Sequence, residues 1–423
     1  MMKKRRFRYI SMVLGLLVLA LSIPTGGLAQ SVSSAAVPSA AGDPFPIATV
    51  PGNQEHAPAV ACDEGRNHYL VVYQNNGGMN ALCIDGQGTT VAAYVVPASY
   101  GQRPDVTYSA DHDEYLIVWD EGGDIYGARV GGVCYGGPGG ISSAFLISGD
   151  RPGTESSPAV AYNNHANHQD YLVVWEDTNN QSNYWAVFGR WVTDVGVSGS
   201  SLAIANTSGA WNYEPDVAYN LNMNEYLVVY THDASKGTAG GARDIYGRRV
   251  YNTGGGGLLA EYPIDSSAND QDSPSVAAYR LNYTTPYLVV YRDFWNDAAG
   301  DVRGYLVSTG GQSVALLNIA DVPGLQESEP GIAASESRGG YTVVWSQGTV
   351  SSDIYGRRVS GDGFVGSTFG VDLGSSEDRV PVVASGSSAP LAVWQTWNGS
   401  DWDVYGRFLY RRVYLPVVVR NFP

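Results

Sequence analysis

The chain has 423 residues, of which 41 are acidic and 25 basic, so its formal net charge at pH 7 is −16. Nucleic acids and anionic membrane surfaces repel such a chain, which makes both poor partners. With 52 Gly, 29 Tyr and 10 Trp, and no long segment of helical period, the composition favours strands over helices.

The N-terminus has the pattern of a secretory signal peptide. A basic segment, Met1–Arg8, precedes an apolar run, Ile10–Ile23, and small residues lead up to Ala29, after which cleavage is expected. The alternative is a membrane anchor, but the run of 14 residues is shorter than the roughly 18–20 that a spanning helix needs. Cleavage removes residues 1–29 with five basic and no acidic side chains, which leaves a secreted chain of charge −21 with no membrane span. Residues 30–44 are small and polar and are expected to form a flexible leader.

Three short motifs recur seven times in the same order, with a period of about 50 residues that is typical of solenoids and propellers. The first is Pro-x-Val-Ala-Tyr or a close relative, whose small side chains suit the innermost strand of a ring. A proline is expected to open each of these strands, where no backbone donor is needed. The prolines are Pro58, Pro104, Pro158, Pro215, Pro274, Pro330 and Pro381.

The second motif, Tyr-Leu-Val-Val-Trp or Tyr, is a continuous apolar run, which is expected of a strand buried on both faces. Its copies are Tyr69–Tyr73, Tyr115–Trp119, Tyr171–Trp175, Tyr226–Tyr230, Tyr287–Tyr291, Tyr341–Trp345 and the shorter Leu391–Trp394. The third motif, Asp-Ile-Tyr-Gly-Arg-Arg-Val, is complete at Asp244–Val250 and Asp353–Val359 and varied elsewhere. Its arginines are expected to pair with acidic loops near the rim of the molecule.

A looser fourth strand precedes each proline at a steady spacing. Ile147 lies 11 residues before Pro158, and Ile47 lies 11 residues before Pro58, although no complete unit precedes Ile47. The sequence therefore predicts an all-β fold, a seven-bladed β-propeller of four-stranded antiparallel blades over residues 45–410. Residues 45–50 would supply the outer strand of the last blade and close the ring, which removes an open sheet edge. Six or eight blades, or an open solenoid with polar caps, are the alternatives.

The second and third motifs together resemble the repeats of bacterial secreted β-propeller proteins, and the resemblance covers residues 45–410. It implies a fold but no catalytic residue, because the motifs that carry it are structural. Residues 411–423 are similar to a terminal tail found on exported proteins of some bacteria, which implies a sorting or anchoring segment. The alternative is that Tyr414–Val419 forms the outer strand of blade seven.

A binding site is expected on the face where the loops into the inner strands meet the loops between second and third strands. Acidic and aromatic residues occur together in these loops, as a sugar-binding surface requires, since aromatic rings stack on pyranose faces and carboxylates accept hydroxyl hydrogen bonds. Residues that do not recur from blade to blade are the better candidates for binding. They are Trp211, Glu214, Trp295, Asp297, Trp397 and Trp402.

An aspartate that recurs at the start of the third strand is interpreted instead as a structural turn cap that accepts backbone N–H groups. These aspartates are Asp124, Asp244, Asp301, Asp353 and Asp403. No spacing of Cys and His typical of a zinc site and no calcium loop is present, so no metal or cofactor is expected. An acidic surface could still recruit Ca²⁺.

Three cysteines allow at most one disulfide. Cys62 and Cys83 fall on the first and third strands of one blade, about 9–10 Å apart, beyond the Cα separation of about 7 Å that a disulfide tolerates. Cys134 lies in a Gly-rich loop of the next blade and could be a free thiol.

The leading functional hypothesis is a monomeric, non-catalytic extracellular module that binds polysaccharide or protein at the cell surface. The first alternative is a secreted glycan hydrolase that uses a pair of carboxylates on the same face, which would require two carboxyls roughly 5–10 Å apart. The second alternative is a structural component of the cell envelope.

Overall fold

A computed structural model describes residues 42–410 with short gaps at 132–133, 135–139, 166–169, 180–183, 207–208, 238–242, 252–256, 296–298 and 350. The predicted signal peptide (1–29), nearly all of the predicted leader and the tail (411–423) lie outside the described residues. Within the described part of the chain, no helix is long and apolar enough to span a membrane.

The described residues form 28 strands and one short 3-10 helix, Glu336–Arg338. The strands are β1 (Phe45–Ala48), β2 (His56–Asp63), β3 (His68–Asn75), β4 (Gly78–Asp85), β5 (Thr90–Val95), β6 (Gln102–Ser109), β7 (Glu114–Glu121), β8 (Asp124–Gly131), β9 (Phe145–Leu146), β10 (Thr154–Tyr162), β11 (Tyr171–Asn179), β12 (Tyr184–Thr193), β13 (Gly196–Ala205), β14 (Trp211–Asn220), β15 (Glu225–Asp233), β16 (Arg243–Tyr251), β17 (Gly257–Asp265), β18 (Gln271–Ala278), β19 (Tyr287–Asp293), β20 (Asp301–Val307), β21 (Ser313–Ala320), β22 (Glu327–Ser335), β23 (Gly340–Gly348), β24 (Ser352–Ser360), β25 (Val365–Asp372), β26 (Glu377–Ala384), β27 (Leu391–Trp397) and β28 (Trp402–Phe408).

Seven four-stranded antiparallel sheets form the blades, which confirms the predicted seven-bladed β-propeller. Blade 1 is β2–β5, blade 2 is β6–β9, blade 3 is β10–β13, blade 4 is β14–β17, blade 5 is β18–β21 and blade 6 is β22–β25. Blade 7 consists of β26, β27, β28 and the N-terminal β1. Strand β1 runs antiparallel to β28, with Phe45 opposite Gly406 and Ala48 opposite Val404, and therefore occupies the outer edge of blade 7.

The second strand of each blade is the most deeply buried, as its apolar run predicts. In β3, for example, Leu70, Val71 and Val72 have no exposed surface. Their side chains alternate between the two faces of the sheet, and each face packs on a neighbouring blade: Leu70 and Val72 against blade 2, and Val71 against blade 7. The hydrophobic core therefore lies between the blades.

Each inner strand contains a bulge at its proline. The residue before every proline has a positive φ of 46–54°, and the register of the inner strand on the second strand shifts at this point. The prediction that proline opens these strands is therefore wrong: β2, for example, begins at His56, two residues before Pro58. A proline is tolerated inside the strand because a bulge needs no ladder donor there. The seven bulge residues are Ala57, Arg103, Ser157, Glu214, Ser273, Glu329 and Val380.

Arginines of the third strands join neighbouring blades. In blades 3, 4, 6 and 7, the arginine after the motif glycine donates from Nη1 to a backbone carbonyl of the preceding blade at 2.5–2.8 Å. The predicted pairing with carboxylates holds for Arg129 with Glu114, for Arg248 with Glu261 and for Arg249 with Glu225. The predicted pairing is wrong for Arg357 and Arg358, which donate to backbone carbonyls. The hydrogen bonds from arginine to a carbonyl of the preceding blade are Arg190–Ile147, Arg248–Ile204, Arg357–Ile319 and Arg407–Val371.

One disulfide links blades 1 and 2. Cys83 in β4 is bonded to Cys134, with the two Cα atoms 5.6 Å apart, and Cys62 is the free cysteine. The expectation that Cys134 could be a free thiol is therefore wrong, because Cys134 lies against the adjacent blade. Burial raises the pKa of the Cys62 thiol well above its usual range, so Cys62 is poorly reactive.

Loss of this disulfide is expected to destabilise the ring. Cys134→Ser should lower the free energy of unfolding by about 4 kcal/mol, because the bond closes a loop with a sequence separation of 51. Urea denaturation of the oxidised protein measures the change, and Cys62→Ser, which breaks no bond, is the control. Equal unfolding midpoints for the two variants would show that Cys134 is not bonded.

Candidate functional site

A cleft of about 590 Å³ opens between blades 3 and 4. It lies on the face where the segments leading into the inner strands meet the connections between second and third strands. Three successive blades contribute to its lining: Ser157, Glu176 and Trp185 from blade 3, then Trp211, Tyr213, Glu214, Asp233, Ser235, Gly237 and Arg243 from blade 4, and Asp270 just before blade 5.

Three aromatic side chains form one wall of the cleft. Trp211 and Tyr213 lie two residues apart in β14, so strand alternation places them on the same face. Trp185 comes from β12 of the neighbouring blade, and its ring centroid is 5.9 Å from Trp211 and 5.7 Å from Tyr213. The interplanar angles are 33° and 73°, so the rings face the cleft in different orientations.

The loop after β15 holds Trp211 in place. Asp233 accepts hydrogen bonds from the backbone N–H of Ser235 and of Gly237, both at 2.8 Å, and fixes a tight turn. Gly237 has φ +77°, and a Cβ there would lie 2.7 Å from the Trp211 ring. The glycine therefore allows the loop backbone to pack directly against the indole.

Glu176 lies on the blade 3 side of the cleft. Its Oε1 accepts hydrogen bonds from the hydroxyls of Ser156 at 2.7 Å and Ser157 at 3.0 Å. Its Oε2 accepts the backbone N–H of Glu214 at 3.2 Å. The positive φ of Glu214 at the bulge directs this N–H towards blade 3, so the bulge positions both glutamates.

Glu214 joins blades 4 and 5. Its Oε2 accepts hydrogen bonds from the hydroxyl of Thr231 and from the backbone N–H of Ser273, each at 2.9 Å. Burial, and then the negative charge of Asp272, raise the pKa of the Glu214 carboxyl above its usual range. The carboxyl is held by blade contacts on one oxygen, which leaves Oε1 outside these bonds.

Arg243 is the guanidinium found among the described residues that line the cleft. It forms ion pairs at 2.8 Å with both Asp270 and Asp272, and its guanidinium lies 5.3 Å from the centroid of Phe294. Asp272 also pairs with Arg292, so two carboxylates and two guanidiniums form one ion-pair cluster.

The structure brings together two of the six predicted binding residues, Trp211 and Glu214. Trp295 lies elsewhere, in the loop after β19, where it is 55% exposed and lies 5.7 Å from the guanidinium of Arg303. Asp297 lies outside the described residues.

Trp397 and Trp402 form a separate pair on blade 7. They are opposite each other in the ladder between β27 and β28, with ring centroids 5.5 Å apart in an edge-to-face arrangement. The pair lies on the hairpin turn, away from the cleft between blades 3 and 4. Trp397 is therefore a suitable control position for substitutions of Trp211.

The recurring aspartates lie at the beginning of the third strands. Burial, together with Asp265 and Asp270, raises the pKa of Asp244 to about 6. Asp403 accepts a hydrogen bond from the side-chain amide of Asn398 at 2.9 Å. The role of all five as turn caps, Asp124, Asp244, Asp301, Asp353 and Asp403, stays a prediction.

Nine of the eleven described residues that line the cleft were not selected from the sequence as binding residues, among them Trp185, Tyr213, Arg243 and Asp270. Tyr213 could have been identified from the sequence, because strand alternation places it on the same face as Trp211. Trp185 and Asp270 belong to neighbouring units, and their approach depends on blade packing.

The axial channel holds a second pair of acidic residues. Its volume is about 390 Å³, and Asp105 and Asp216 line it together with small inner-strand residues. Each Oδ2 accepts a backbone N–H of a following inner strand, Val160 at 2.7 Å and Val276 at 2.8 Å. Burial and the charge of Asp216 raise the pKa of Asp105 to about 7. These bonds give both carboxyls a structural role.

One group of three potential metal ligands occurs among the described residues. Atoms of His68, Cys83 and Cys134 lie within 4.8 Å of one another. The two sulfur atoms are joined in the disulfide, so they are not thiolate ligands in this structure.

No protein-family model and no curated protein matches the chain. Solved structures do: the chain is similar to the BP39L lectin from Burkholderia pseudomallei, at 14% identity and a TM-score of 0.56, over 85% of this chain and 98% of that one. It is less similar to AofleA from Arthrobotrys oligospora, at 9% identity and a TM-score of 0.46 over 76% and 87% of the two chains. An exo-β-1,3-galactanase from Phanerochaete chrysosporium matches at 12% identity and a TM-score of 0.38, over 84% of this chain and 96% of that one. Likeness at these identities shows the β-propeller fold alone.

Proposed function

We propose that this protein is a secreted, non-catalytic glycan-binding propeller whose binding site is the cleft between blades 3 and 4. The observation that carries the proposal is the aromatic wall of Trp185, Trp211 and Tyr213 facing fixed carboxylates in one cavity. We also propose that the predicted signal peptide exports the chain and that the mature protein acts as a monomer.

The chemistry of the cleft suits a sugar. Indole and phenol rings stack on the apolar C–H faces of pyranose rings, and carboxylates accept hydrogen bonds from sugar hydroxyls. A cavity of about 590 Å³ lies in the range of small-molecule sites, about 300–1,000 Å³. The BP39L lectin has the same fold, which is compatible with the proposal, although the cleft residues carry it.

A hydrolase is the second candidate, and it is favoured by the direction of the pKa shift of Glu214, since burial raises the pKa of this carboxyl as a general acid requires. The bonding of the two glutamates favours binding instead. Glu176 uses both oxygens, and Glu214 one, as hydrogen-bond acceptors, and one bond of each glutamate crosses to the next blade. A structural role in the cell envelope would need no cleft of this composition.

Glycan binding by the purified mature protein, with chromatographic detection of released sugar, tests the proposal. Trp211→Ala is expected to weaken binding about 30-fold or more, since a central aromatic contributes about 2 kcal/mol. Trp397→Ala, on blade 7, is the matched control and should retain full affinity.

Each contrary result has a distinct meaning. Release of sugar that stops in Glu214→Gln would establish the hydrolase instead. Equal loss in Trp211→Ala and Trp397→Ala would place the site outside the cleft. Binding to no glycan would leave the structural role.

A further inference from the structure

The charge of the cleft points to the kind of sugar that it binds. Among the described lining residues there are four carboxylates, Glu176, Glu214, Asp233 and Asp270, and one guanidinium, Arg243. Arg243 is already paired with Asp270, and it shares Asp272, behind the cleft, with Arg292. Among the lining residues that the structure describes, Glu176 and Asp233 form no ion pair, so their charge is available to a cationic ligand.

The aromatic wall reinforces this preference. The face of an indole or phenol ring is electrostatically negative and attracts a cation within about 6 Å of the ring centroid. Trp185 lies 5.9 Å from Trp211 and 5.7 Å from Tyr213, at angles that keep the rings from stacking in parallel. Rings at this separation contact one another, so a cationic group would lie against the face that the cluster presents to the cleft and not between the rings.

The negative charge of the cleft also affects the pKa of the Tyr213 phenol. Burial, followed by the charge of Glu214, raises its pKa above the usual range, so the hydroxyl stays protonated. It can donate a hydrogen bond to a sugar oxygen without adding charge to the site.

We propose that the cleft selects sugars with a free, protonated amine, so that the ligand class is an amino-sugar oligosaccharide. This inference rests on the proposed glycan-binding function and specifies its ligand. The ammonium group would lie between the aromatic wall and the carboxylates of Glu176 and Glu214, where both cation–π attraction and charge pairing favour it. An N-acetylated sugar lacks the charge, and a uronic acid is repelled by the same carboxylates.

The test compares three oligosaccharides with the same β-1,4-linked backbone and one different substituent: the free amine, the acetamide and the hydroxyl. Calorimetric titration of the mature protein at pH 6 is expected to show at least tenfold tighter binding of the amine. The preference should shrink as salt is raised, because screening weakens charge pairing at a partly open site.

Glu214→Gln is the informative variant, and the chain supplies a matched control. Glu214 accepts both of its hydrogen bonds on one oxygen, so the glutamine carbonyl can keep them, while the side chain can no longer ionise against a bound ammonium group. Glu329 occupies the same bulge position in blade 6 and accepts the hydroxyl of Ser346 at 2.9 Å and the N–H of Val380 at 2.8 Å. Glu214→Gln should lower the amine preference about threefold or more, and Glu329→Gln should leave it unchanged.

Trp211→Ala separates the cleft from the overall acidity of the protein. If the amine preference is undiminished in both Trp211→Ala and Glu214→Gln, it arises from the net charge and the inference is wrong. Equal or tighter binding of the acetamide or hydroxyl oligosaccharide overturns the inference and leaves the proposed glycan binding intact. If the protein binds none of the three oligosaccharides and no other glycan, both the amine preference and the proposed glycan binding are wrong. If Glu214→Gln does not fold, the Trp211→Ala comparison still decides the question.

Discussion

Replacing Ile47 with Ala is expected to lower the free energy of unfolding by about 2–5 kcal/mol, the usual cost of a cavity in a packed core. Ile47 is 9% exposed and belongs to the core between blades 7 and 1, with Leu391 and Val404 on one side and Ile84 on the other. A residue that precedes the first blade in sequence would thus stabilise the last blade. Urea unfolding of the mature protein measures the loss.

The packing of Ile47 repeats that of the outer strands in other blades. A Cβ at Gly406 would lie 2.7 Å from Ile47, just as a Cβ at Gly247 would lie 2.9 Å from Ile264. The motif glycine therefore makes room for one aliphatic side chain of the outer strand. Val50→Ala is the control, because Val50 is 54% exposed and its truncation should change stability by less than about 0.5 kcal/mol. Equal midpoints for the two variants would mean that the N-terminal strand does not close the ring.

Stability is expected to fall as the pH rises from about 4 to 8. Burial is the first cause that raises the pKa of three carboxyls to about 7: Asp105, Glu155, which lies near Asp177, and Asp378. In the unfolded chain these groups titrate near pH 4. Between the two pKa values the folded state binds more protons, so stability decreases with pH, and above pH 7 the buried charges oppose folding fully.

Asp378→Asn isolates one of these carboxyls. Asp378 has no exposed surface, and its pKa is raised by burial and by Asp372 and Asp353. The variant should be more stable than the natural protein at pH 8 by ~1 kcal/mol or more, since one pKa unit corresponds to about 1.4 kcal/mol, and equal to it at pH 4. Thermal unfolding across this range measures the difference, with exposed Asp194→Asn as the control. A natural protein that gains stability from pH 5 to 8 would contradict the assignment of these buried groups.

The architecture was predictable because each blade repeats the same physical requirements. An apolar run marks the strand that is buried on both faces, and the motif glycine marks the space for an outer aliphatic side chain. The bulges were not predictable, because their positive φ falls on residues of no common type. Ala57, Arg103 and Glu214 share this conformation but no side-chain chemistry.

The candidate site was only partly predictable for a related reason. Trp211 and Glu214 were identified because they do not recur from blade to blade. A residue that does not recur is not part of the pattern that the repeated fold requires. Trp185 does not recur either, but its partner Trp211 lies in another blade, and the twist between blades determines whether two such residues meet. The bond between Cys83 and Cys134 escaped prediction in the same way, since it also crosses from one blade to the next.

A crystal structure of the mature protein with a bound oligosaccharide tests the glycan-binding cleft most directly. The expected result is an intact oligosaccharide between blades 3 and 4, with a sugar ring against Trp185 and Trp211 and a polar substituent within hydrogen-bond distance of Glu214. A sugar bound at the Trp397 and Trp402 pair, or a cleaved product in the cleft, would contradict the proposed function.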